Sequence, residues 1–283
     1  MKPIIRSFFD AATNTVSYLV SDPVSRQAAI IDPVLDFDPK SARLSTASAD
    51  AVLAAAREAD LRIVWILETH AHADHLSAAD HLRHLTGAEV VIGRHIEAVQ
   101  QTFGALFETE APTRVFDRLV GEGDILKLGD LDIHVLHTPG HTPACVTYLI
   151  ADAAFVGDTL FMPDYGTARA DFPGGDAATL YRSIRKILAL PPETRIFVCH
   201  DYLPAGRSTY AWETTVAAER AHNIHVHDGV AEDDFVAMRE ARDATLAAPV
   251  LILPSLQVNI QAGALPAPSA KGRVFLKLPV NAI

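Results

Sequence analysis

Short apolar runs alternate with amphipathic segments along most of the chain, and this alternation is typical of an α/β protein. The runs that predict buried strands are RIVWIL, AEVVIG, the two halves of ILKLGDLDIHVLHT, ACVTYLI, AAFVGDTL and RIFVCHD. Helical spacing is found in two other places. One predicted helical face consists of Leu76, Ala79, Leu82 and Leu85, and another consists of Leu180, Ile184, Ile187 and Leu188, ended by Pro191 and Pro192. The stretch LPSLQVNIQAGALPAPSAKGRV is rich in Pro, Gly and Ala, and we expect it to form an ordered but irregular wrap.

Side chains that can bind a metal follow four of the predicted strands. They are His70, His141, Asp158 and His200. Binding sites in α/β sheets collect at the carboxyl ends of strands, so we expect these four side chains to meet at one edge of the sheet.

The stretch LETHAHADHL adds three more polar residues around the first of these strand ends. His72 lies two residues after His70, so in extended chain the two rings point the same way. Asp74 and His75 follow at the predicted start of a helix and can face the same centre. Histidine and aspartate are ligands for zinc and iron, and the sequence therefore predicts a seven-residue metal centre.

The alternative interpretation is that these histidines lie on a solvated surface and have no role in metal binding. We accept it for the remaining histidines apart from His137, namely His81, His84, His95, His134, His222, His225 and His227. His137 precedes the Thr-Pro-Gly-His motif, and we expect it to buttress that loop.

Composition narrows the class of protein further. Hydrophobic residues make up 49% of the 283, which allows a large core, and we expect one domain over residues 1–283. Its motif-bearing part covers about 1–210, followed by C-terminal helices and a wrap at about 211–283.

The net charge of −11 and the lack of a basic stripe argue against nucleic acid as a partner. No apolar run is long enough for a membrane span, and the first residues do not read as a signal peptide, so we expect a cytoplasmic protein.

The two cysteines, Cys145 and Cys199, both stand in apolar runs. We expect buried strand thiols rather than a disulfide framework.

Four motifs together resemble the metallo-β-lactamase superfamily: THAHADH, TPGHT, VGDTL and VCHDY, in that order. The resemblance covers about residues 1–210. It implies an αββα sandwich, in which two mixed β-sheets face each other with helices outside and the metal lies at one edge.

Two further stretches resemble the persulfide dioxygenase family, in its bacterial branch. DYGTARADFPGGD follows the Gly-Asp motif, where that family has Gly-x-Gly-Arg-Thr-Asp-Phe. Arg169, Asp171 and Phe172 match this pattern, whereas Ala168 and Ala170 depart from its Gly and Thr. The ending His-Asp-Tyr also resembles this family, since glyoxalase II more often has His-Glu-Tyr.

The resemblance implies one ferrous ion per chain, held by His70, His141 and Asp158. It implies oxidation of glutathione persulfide, or a similar small persulfide, with dioxygen and water to sulfite and glutathione, in a homodimer. The other polar groups of the centre then orient ligands and water. They are His72, Asp74, His75 and His200.

The same seven residues could instead hold two zinc ions. His70, His72 and His141 would form one site, Asp74, His75 and His200 the other, and Asp158 would bridge them. Such a centre hydrolyses glutathione thioesters, as in glyoxalase II. A metal-storing or sensing protein without enzymatic activity is a third reading, which open coordination positions disfavour.

Four side chains outside the metal set are candidates for substrate contact. Arg169 follows a ligand-bearing strand and could grip a carboxylate of glutathione with two parallel hydrogen bonds. Tyr202 follows His200 by two residues and is the candidate catalytic group, donating a proton to bound oxygen, with capping of the core as its alternative role. Tyr165 and Arg207 are further candidates for the substrate pocket.

Overall fold

The computed structural model describes residues 1–109 and 115–281, which form fifteen strands and seven helices. The strands are β1 (Ile4–Asp10), β2 (Thr15–Ser21), β3 (Gln27–Ile31), β4 (Val34–Asp38), β5 (Arg43–Ser45), β6 (Arg62–Leu67), β7 (Leu76–Ser77), β8 (Glu89–Gly93), β9 (Arg118–Val120), β10 (Ile125–Leu128), β11 (Leu131–His137), β12 (Val146–Ile150), β13 (Ala153–Phe155), β14 (Arg195–Phe197) and β15 (Glu213–Thr215). The helices are α1 (Ala47–Glu58), α2 (Ala79–Thr86), α3 (Ile96–Leu106), α4 (Ala177–Leu188), α5 (Val216–His222), α6 (Glu232–Asp243) and α7 (Ile252–Asn259).

Two six-stranded sheets carry the fold. The first has the order β1-β2-β3-β6-β8-β9, and its strands from β3 onward run parallel. The second has the order β10-β11-β12-β13-β14-β15, in which only β13 and β14 pair in parallel. A small third sheet has the order β5-β4-β7. Both large sheets are therefore mixed, as the sequence resemblance implied.

The main core lies between the two large sheets. Side chains from both sheets fill it, among them Tyr18, Leu67, Val135, Tyr148 and Phe155, all buried. The helices α1, α2, α3 and α7 cover the outer face of the first sheet, and α4, α5 and α6 cover the second. The predicted αββα sandwich is confirmed.

The predicted strands and the second predicted helix are confirmed as well. Leu180, Ile184 and Ile187 are fully buried on one face of α4. Each such side chain contributes about 1.5–3 kcal/mol when it leaves water. The side chain of Asp176 caps the helix by accepting a hydrogen bond from the Thr179 amide at 2.7 Å.

The first predicted helix is shorter than its apolar spacing suggested. Leu76 belongs to β7, where it pairs with Leu35 of β4, so the helix starts only at Ala79. Leu85 is 54% exposed and does not belong to the buried face, contrary to prediction. Pairing with β4 is a tertiary contact, and it overrides the local helical pattern of this segment.

The prediction of an irregular stretch from Leu253 onward is wrong for residues 253–259, which belong to α7. Pro254 stands in the first turn of this helix, where a missing N–H breaks no helical hydrogen bond. Leu256 and Val258 bury its inner face. Beyond α7, the described residues contain no further regular element, as predicted.

Both cysteines are buried free thiols, as expected from their apolar surroundings. Across residues 1–109 and 115–281, none of the helices has the length and apolar character needed to cross a membrane.

Candidate metal centre

The seven predicted donors meet at one edge of the sandwich. The strands β6, β11, β13 and β14 end just before His70, His141, Asp158 and His200, respectively. Asp158 lies in the middle: its Oδ2 is 3.8 Å from His70 Nε2 and 3.7 Å from His141 Nε2, and its Oδ1 is 3.3 Å from His200 Nε2. The prediction that four strand ends deliver one site is therefore correct in its geometry.

The donors beside His70 complete the cluster. The ring of His72 lies 4.1 Å from that of His70 and 4.2 Å from that of His75, between ring centroids. Asp74 Oδ2 lies 3.1 Å from His200 Nε2, so the loop after β6 closes on the loop after β14.

Each histidine ring is held through one nitrogen while the other faces the centre. His141 Nδ1 donates a hydrogen bond to the backbone carbonyl of Arg169 at 2.7 Å. His70 Nδ1 lies 3.0 Å from the Thr69 hydroxyl, which itself donates to Asp32 at 2.9 Å. In both rings this leaves Nε2 as the atom directed at Asp158.

The same arrangement holds on the other side of the centre. His200 Nδ1 lies 3.3 Å from the backbone carbonyl of Asn14 and 3.4 Å from the Thr15 hydroxyl. His75 Nδ1 lies 3.3 Å from that same hydroxyl. Outer hydrogen bonds of this kind fix the orientation of metal-ligating histidines in proteins.

His72 is oriented the other way round. Its Nε2 lies 3.1 Å from Asp32 Oδ1 and 3.2 Å from Glu68 Oε2, so Nδ1 is the nitrogen that faces the centre. Burial alone would lower the pKa of His72, but the charges and hydrogen bonds of the two carboxylates hold it well above its usual value. Nε2 therefore keeps its proton and stays a donor. Burial also raises the pKa of Glu68, whereas His72 and Thr69 overcome burial to lower that of Asp32.

The inward-facing atoms are buried and lack hydrogen-bond partners among the described residues. They are His70 Nε2, His72 Nδ1, Asp74 Oδ2, His75 Nε2, Asp158 Oδ1 and His200 Nε2. An unsatisfied buried polar atom destabilises a fold by about 1–3 kcal/mol. A bound cation would satisfy those of the atoms that are directed at it, so the residues present fit a metal.

The donor atoms fall into two main groups, each within 4.8 Å. One is His70, His141 and Asp158, and the other is His72, Asp74, His75 and His200. The first group is the predicted mononuclear set. In the second, His72 stands with the donors of the other side, whereas the two-metal reading of the sequence put it beside His70.

Gly157 shows why this loop needs glycine before its aspartate. Its φ of +53° is a left-handed conformation that other residues rarely adopt. A Cβ atom there would lie 2.6 Å from the Thr69 hydroxyl and 3.3 Å from His70 Nδ1. The close approach of Gly157 to Thr69 thus brings the strand end of Asp158 against that of His70.

A cavity of about 160 Å³ opens beside the centre. Three donors line it, Asp74, His141 and Asp158, together with the aromatic rings of Phe161, Tyr165 and Tyr202, three arginines, and the apolar residues Leu246 and Pro249. A small apolar chamber with a few convergent polar groups is the usual form of a small-molecule site.

Tyr165 and Tyr202 lie where the sequence predicted a substrate pocket. Their rings stack with centroids 4.9 Å apart, and the Tyr202 ring also stacks on His200 at 5.6 Å. Partial burial of its ring, followed by the charges of Asp74 and Asp158, raises the pKa of Tyr202 above its usual value, although the residue is still 36% exposed. Its hydroxyl therefore remains a hydrogen-bond donor at neutral pH.

Arg169 lines the cavity, but much of its guanidinium is engaged within the protein. Its Nε and one terminal nitrogen donate to both carboxylate oxygens of Asp171, at 2.5 and 2.6 Å, and the other donates to the carbonyl of Ala247 at 2.7 Å. Two of its five N–H groups remain for a substrate.

Arg207 does not belong to the cavity lining. It donates to Asp164 at 2.6 Å and to Asp201 at 2.8 Å. These partners precede Tyr165 and Tyr202 in the sequence, so Arg207 joins the two loops that carry the aromatic wall. Its proposed contact with substrate stays a prediction.

Sequence reasoning missed Asp32 and Glu68, although the signal that found the other donors was present. Asp32 follows β3 directly, and Glu68 follows β6. It also missed Asn259 of α7, whose side-chain amide donates to the carbonyls of His72 and His75 at 2.8 Å. No local pattern marks Asn259, because its contacts lie far away in the sequence.

Two of the remaining histidines support loops close to the centre. His137 Nε2 lies 3.0 Å from the Pro143 carbonyl, which fits its predicted support of the loop. His225 is not simply solvated, contrary to prediction: it is half-buried, and its Nδ1 accepts a hydrogen bond from the Thr167 amide at 3.1 Å. The loop after β13 folds against it, which a single-residue pattern does not reveal.

Comparison with known proteins identifies the family. The family model of the metallo-beta-lactamase superfamily matches residues 11–200. The chain belongs to this superfamily. It is 56% identical to a probable metallo-hydrolase of Burkholderia pseudomallei strain 1710b, over 99% of both chains. It is 49% identical to a beta-lactamase hydrolase-like protein of Xylella fastidiosa, matching 99% of this chain and 65% of that protein's length.

Persulfide dioxygenases are among the relatives. The chain is 35% identical to the human mitochondrial persulfide dioxygenase ETHE1, over 75% of this chain and 74% of that protein. The crystal structure of ETHE1 from Myxococcus xanthus superposes with a TM-score of 0.75 at 33% identity, over 92% of this chain and all of that one. These findings confirm the family resemblance read from the sequence.

Proposed function

We propose that the protein is a non-haem iron persulfide dioxygenase. Its reaction combines glutathione persulfide, dioxygen and water, and yields sulfite, glutathione and two protons. The proposal includes one ferrous ion per chain and glutathione persulfide or a similar small persulfide as substrate. The homodimer implied by the resemblance stays a prediction.

One observation carries this proposal: three donors form a compact group at the cavity. His70 Nε2 and His141 Nε2 lie 3.8 and 3.7 Å from Asp158 Oδ2, and two of the three residues line the cavity. Two histidines and one carboxylate on one side of a metal are the usual ligands of non-haem ferrous oxygenases, which keep other positions open. The similarity to ETHE1 proteins supports the same reading.

When bound, a ferrous ion would supply open coordination positions and the electrons that activate dioxygen. The protein's own residues then bind, orient and protonate. The Arg169 carbonyl fixes the His141 ring, and the Thr69 hydroxyl fixes the His70 ring. The stacked rings of Tyr165 and Tyr202 form an apolar wall that suits a sulfur chain, and the Tyr202 hydroxyl can donate a hydrogen bond to an oxygen atom there.

A second candidate is hydrolysis of a glutathione thioester at two metals. The unpartnered atoms of Asp74, His75 and His200 favour it, because they form a second donor group in addition to the first. The name of the Burkholderia relative points the same way. A water activated between two metals is the usual nucleophile of such centres.

The experiment that separates the two candidates joins metal analysis to two assays on the same anaerobically purified protein. The dioxygenase proposal expects about one iron per chain, oxygen uptake with glutathione persulfide, and one sulfite for each dioxygen consumed. Two zinc ions per chain with rapid hydrolysis of S-lactoylglutathione and no oxygen uptake would establish the hydrolase instead.

A further inference from the structure

Three arginines line the cavity, and two of them are neutralised. Arg169 pairs with Asp171, with N···O distances of 2.5 and 2.6 Å. Arg239 is buried and pairs with Asp243 at 2.6 Å. A guanidinium already joined to a carboxylate has little net charge to offer a ligand.

Arg239 serves to fix helix α6 against the loop after β13. Besides its bond to Asp243, it donates to the Thr167 carbonyl at 3.2 Å. The other carboxylate oxygen of Asp243 accepts a hydrogen bond from the Ala170 amide at 2.8 Å. The last turn of α6 is thereby tied to the segment that also holds His141 through Arg169.

Arg242 lies three residues after Arg239 and therefore on a neighbouring part of the same helical face. Its side chain lines the cavity and is exposed. Its guanidinium forms no ion pair and donates no hydrogen bond to any residue within 1–109 and 115–281. Among the three cavity arginines, it alone lacks a carboxylate partner in this part of the chain.

His225 lies near Arg242 but adds no second positive charge at the cavity rim. Burial chiefly lowers the pKa of His225, to about 4. His225 is therefore neutral at physiological pH, and the cation at the cavity rim is Arg242.

The size of the cavity determines where a substrate carboxylate can lie. Its volume of about 160 Å³ is below the roughly 300–1,000 Å³ of pockets that bury drug-sized ligands. A tripeptide persulfide can place its sulfur end inside, but its charged ends must extend across the rim. Each of those ends carries a carboxylate, and the γ-glutamyl end also carries an ammonium group, whereas the protein carries a net charge of −11 and repels anions overall.

We propose that Arg242 forms an anion subsite at the cavity rim, where it binds a carboxylate of a glutathione-type substrate whose sulfur end lies toward the metal centre. This inference rests on the proposed function for the identity of the substrate. It moves the main carboxylate contact from Arg169, which the sequence suggested, to an arginine in a segment that follows the superfamily motifs.

The test measures binding directly, without turnover. S-methylglutathione is titrated calorimetrically into wild type, Arg242→Ala and Arg242→Lys, and the ligand's diethyl ester is titrated in parallel. Arg57→Ala is the matched control, because Arg57 is also an exposed arginine in the last turn of a twelve-residue helix but does not line the cavity. Circular dichroism and metal content establish that each variant is folded.

The expected result is a roughly three- to tenfold weaker Kd for S-methylglutathione in Arg242→Ala, a range set by the partial exposure of the contact. Arg242→Lys lies between this variant and wild type, and Arg57→Ala matches wild type. The ester binds Arg242→Ala and wild type equally. An unchanged Kd in Arg242→Ala, an equal loss for acid and ester, or no binding of S-methylglutathione to wild type would each overturn the subsite.

Failure of the proposed function has a different signature. If the wild type binds S-methylglutathione through Arg242 but consumes no oxygen with glutathione persulfide, the subsite stands and the dioxygenase does not. If the wild type consumes oxygen with glutathione persulfide, and Arg242→Ala changes neither the KM of this reaction nor the Kd for S-methylglutathione, the dioxygenase proposal stands and the subsite is rejected.

Discussion

The inner and outer halves of the site treat their polar groups in opposite ways. In the inner half, six buried donor atoms around Asp158 have no hydrogen-bond partner in the described chain. In the outer half, Arg169, Arg207 and Arg239 are each joined to a carboxylate and a backbone carbonyl. The inner atoms are arranged for a ligand, and the outer guanidiniums hold loops and a helix in place.

Charged residues near a site have to be judged by the partners they already have. Arginine at a cavity is not evidence for substrate binding when its own loop already satisfies it. A group of buried donors without partners is stronger evidence, because each such atom would destabilise the fold by about 1–3 kcal/mol if nothing bound it.

The largest effect is expected for Asp158→Ala. Asp158 lies between both donor groups, and its carboxylate offsets the charge of a cation. We expect iron content to fall from about one per chain to near zero and activity to fall by more than about 100-fold, beyond the range of indirect effects on metal sites. Metal analysis and oxygen uptake measure both, with Glu193→Ala, an exposed carboxylate, as control. Normal iron and turnover in Asp158→Ala would remove this residue from the ligand set.

The double variant Asp74→Asn with His75→Gln comes next. It keeps side-chain size and removes charge and basicity from the second donor group. If His70, His141 and Asp158 hold a single iron, the metal count stays near one and activity falls by about 10–100-fold. A count that drops from two to one would instead identify a binuclear centre, and with it the hydrolase.

Arg169→Ala tests whether the outer half supports the inner one. Its side chain anchors the loop whose carbonyl at Arg169 orients His141, so losing the anchors at Asp171 and Ala247 should loosen that ring. We expect about tenfold weaker iron retention against a chelator, at the low end for groups that orient a ligand. The control is Arg182→Ala, which loses a surface ion pair with Glu232 outside the cavity.

The outcome of Arg169→Ala also bears on its sequence-based role. Unchanged iron retention with a raised KM for glutathione persulfide would contradict the anchoring role. It would show that the two free N–H groups of Arg169 bind substrate, as the sequence suggested.

The last prediction concerns the stability of the fold rather than activity, and it is made for Glu219, the exception in the outer half. Its Oε1 is buried without a partner, while Asn223 donates to its other oxygen at 2.6 Å and also to the Gly166 carbonyl. Burial raises the pKa of Glu219 from 4.5 to about 8, so the folded protein binds a proton that the unfolded chain releases above about pH 4.5. The protonated carboxyl group of Glu219 therefore contributes its full stability below about pH 4.5, and this contribution is lost as the pH rises through about 8.

Urea unfolding at pH 5.5 and pH 8.5 measures this effect. The free energy of unfolding of the wild type should fall between these values by up to roughly 1.4 kcal/mol for each unit of pKa shift within the window. Glu219→Gln should remove that component, whereas Glu213→Gln, at an exposed position, should retain it. Equal pH dependence in wild type and Glu219→Gln would mean that Glu219 does not titrate in this range.

Much of the fold was predictable because strands and helices leave local patterns. The apolar runs gave the strands β6, β8 and β10 to β14, and the rule that sites lie at strand ends gave His70, His141, Asp158 and His200. Asp32 obeys the same rule and was missed because it stands alone, outside any histidine motif.

Other features were not predictable because no local pattern encodes them. The helix α7 lies in a stretch whose Pro, Gly and Ala content suggested irregular chain, and Leu76 left its helix to pair with β4. In both cases burial against a distant part of the chain decided the conformation.

The sequence by itself determined the superfamily, the sandwich and the seven donors, since residue type, order and spacing along strands carry that information. Only the tertiary structure decided which atoms of those donors remain unpartnered and which arginines are already neutralised. Asp171 lies two residues from Arg169, and Asp243 lies four from Arg239, yet neither spacing reveals that the resulting pairs face one cavity. The net charge at a site depends on which charged groups are close in space. For Arg242, those neighbours are set by how α6 packs against the loop after β13.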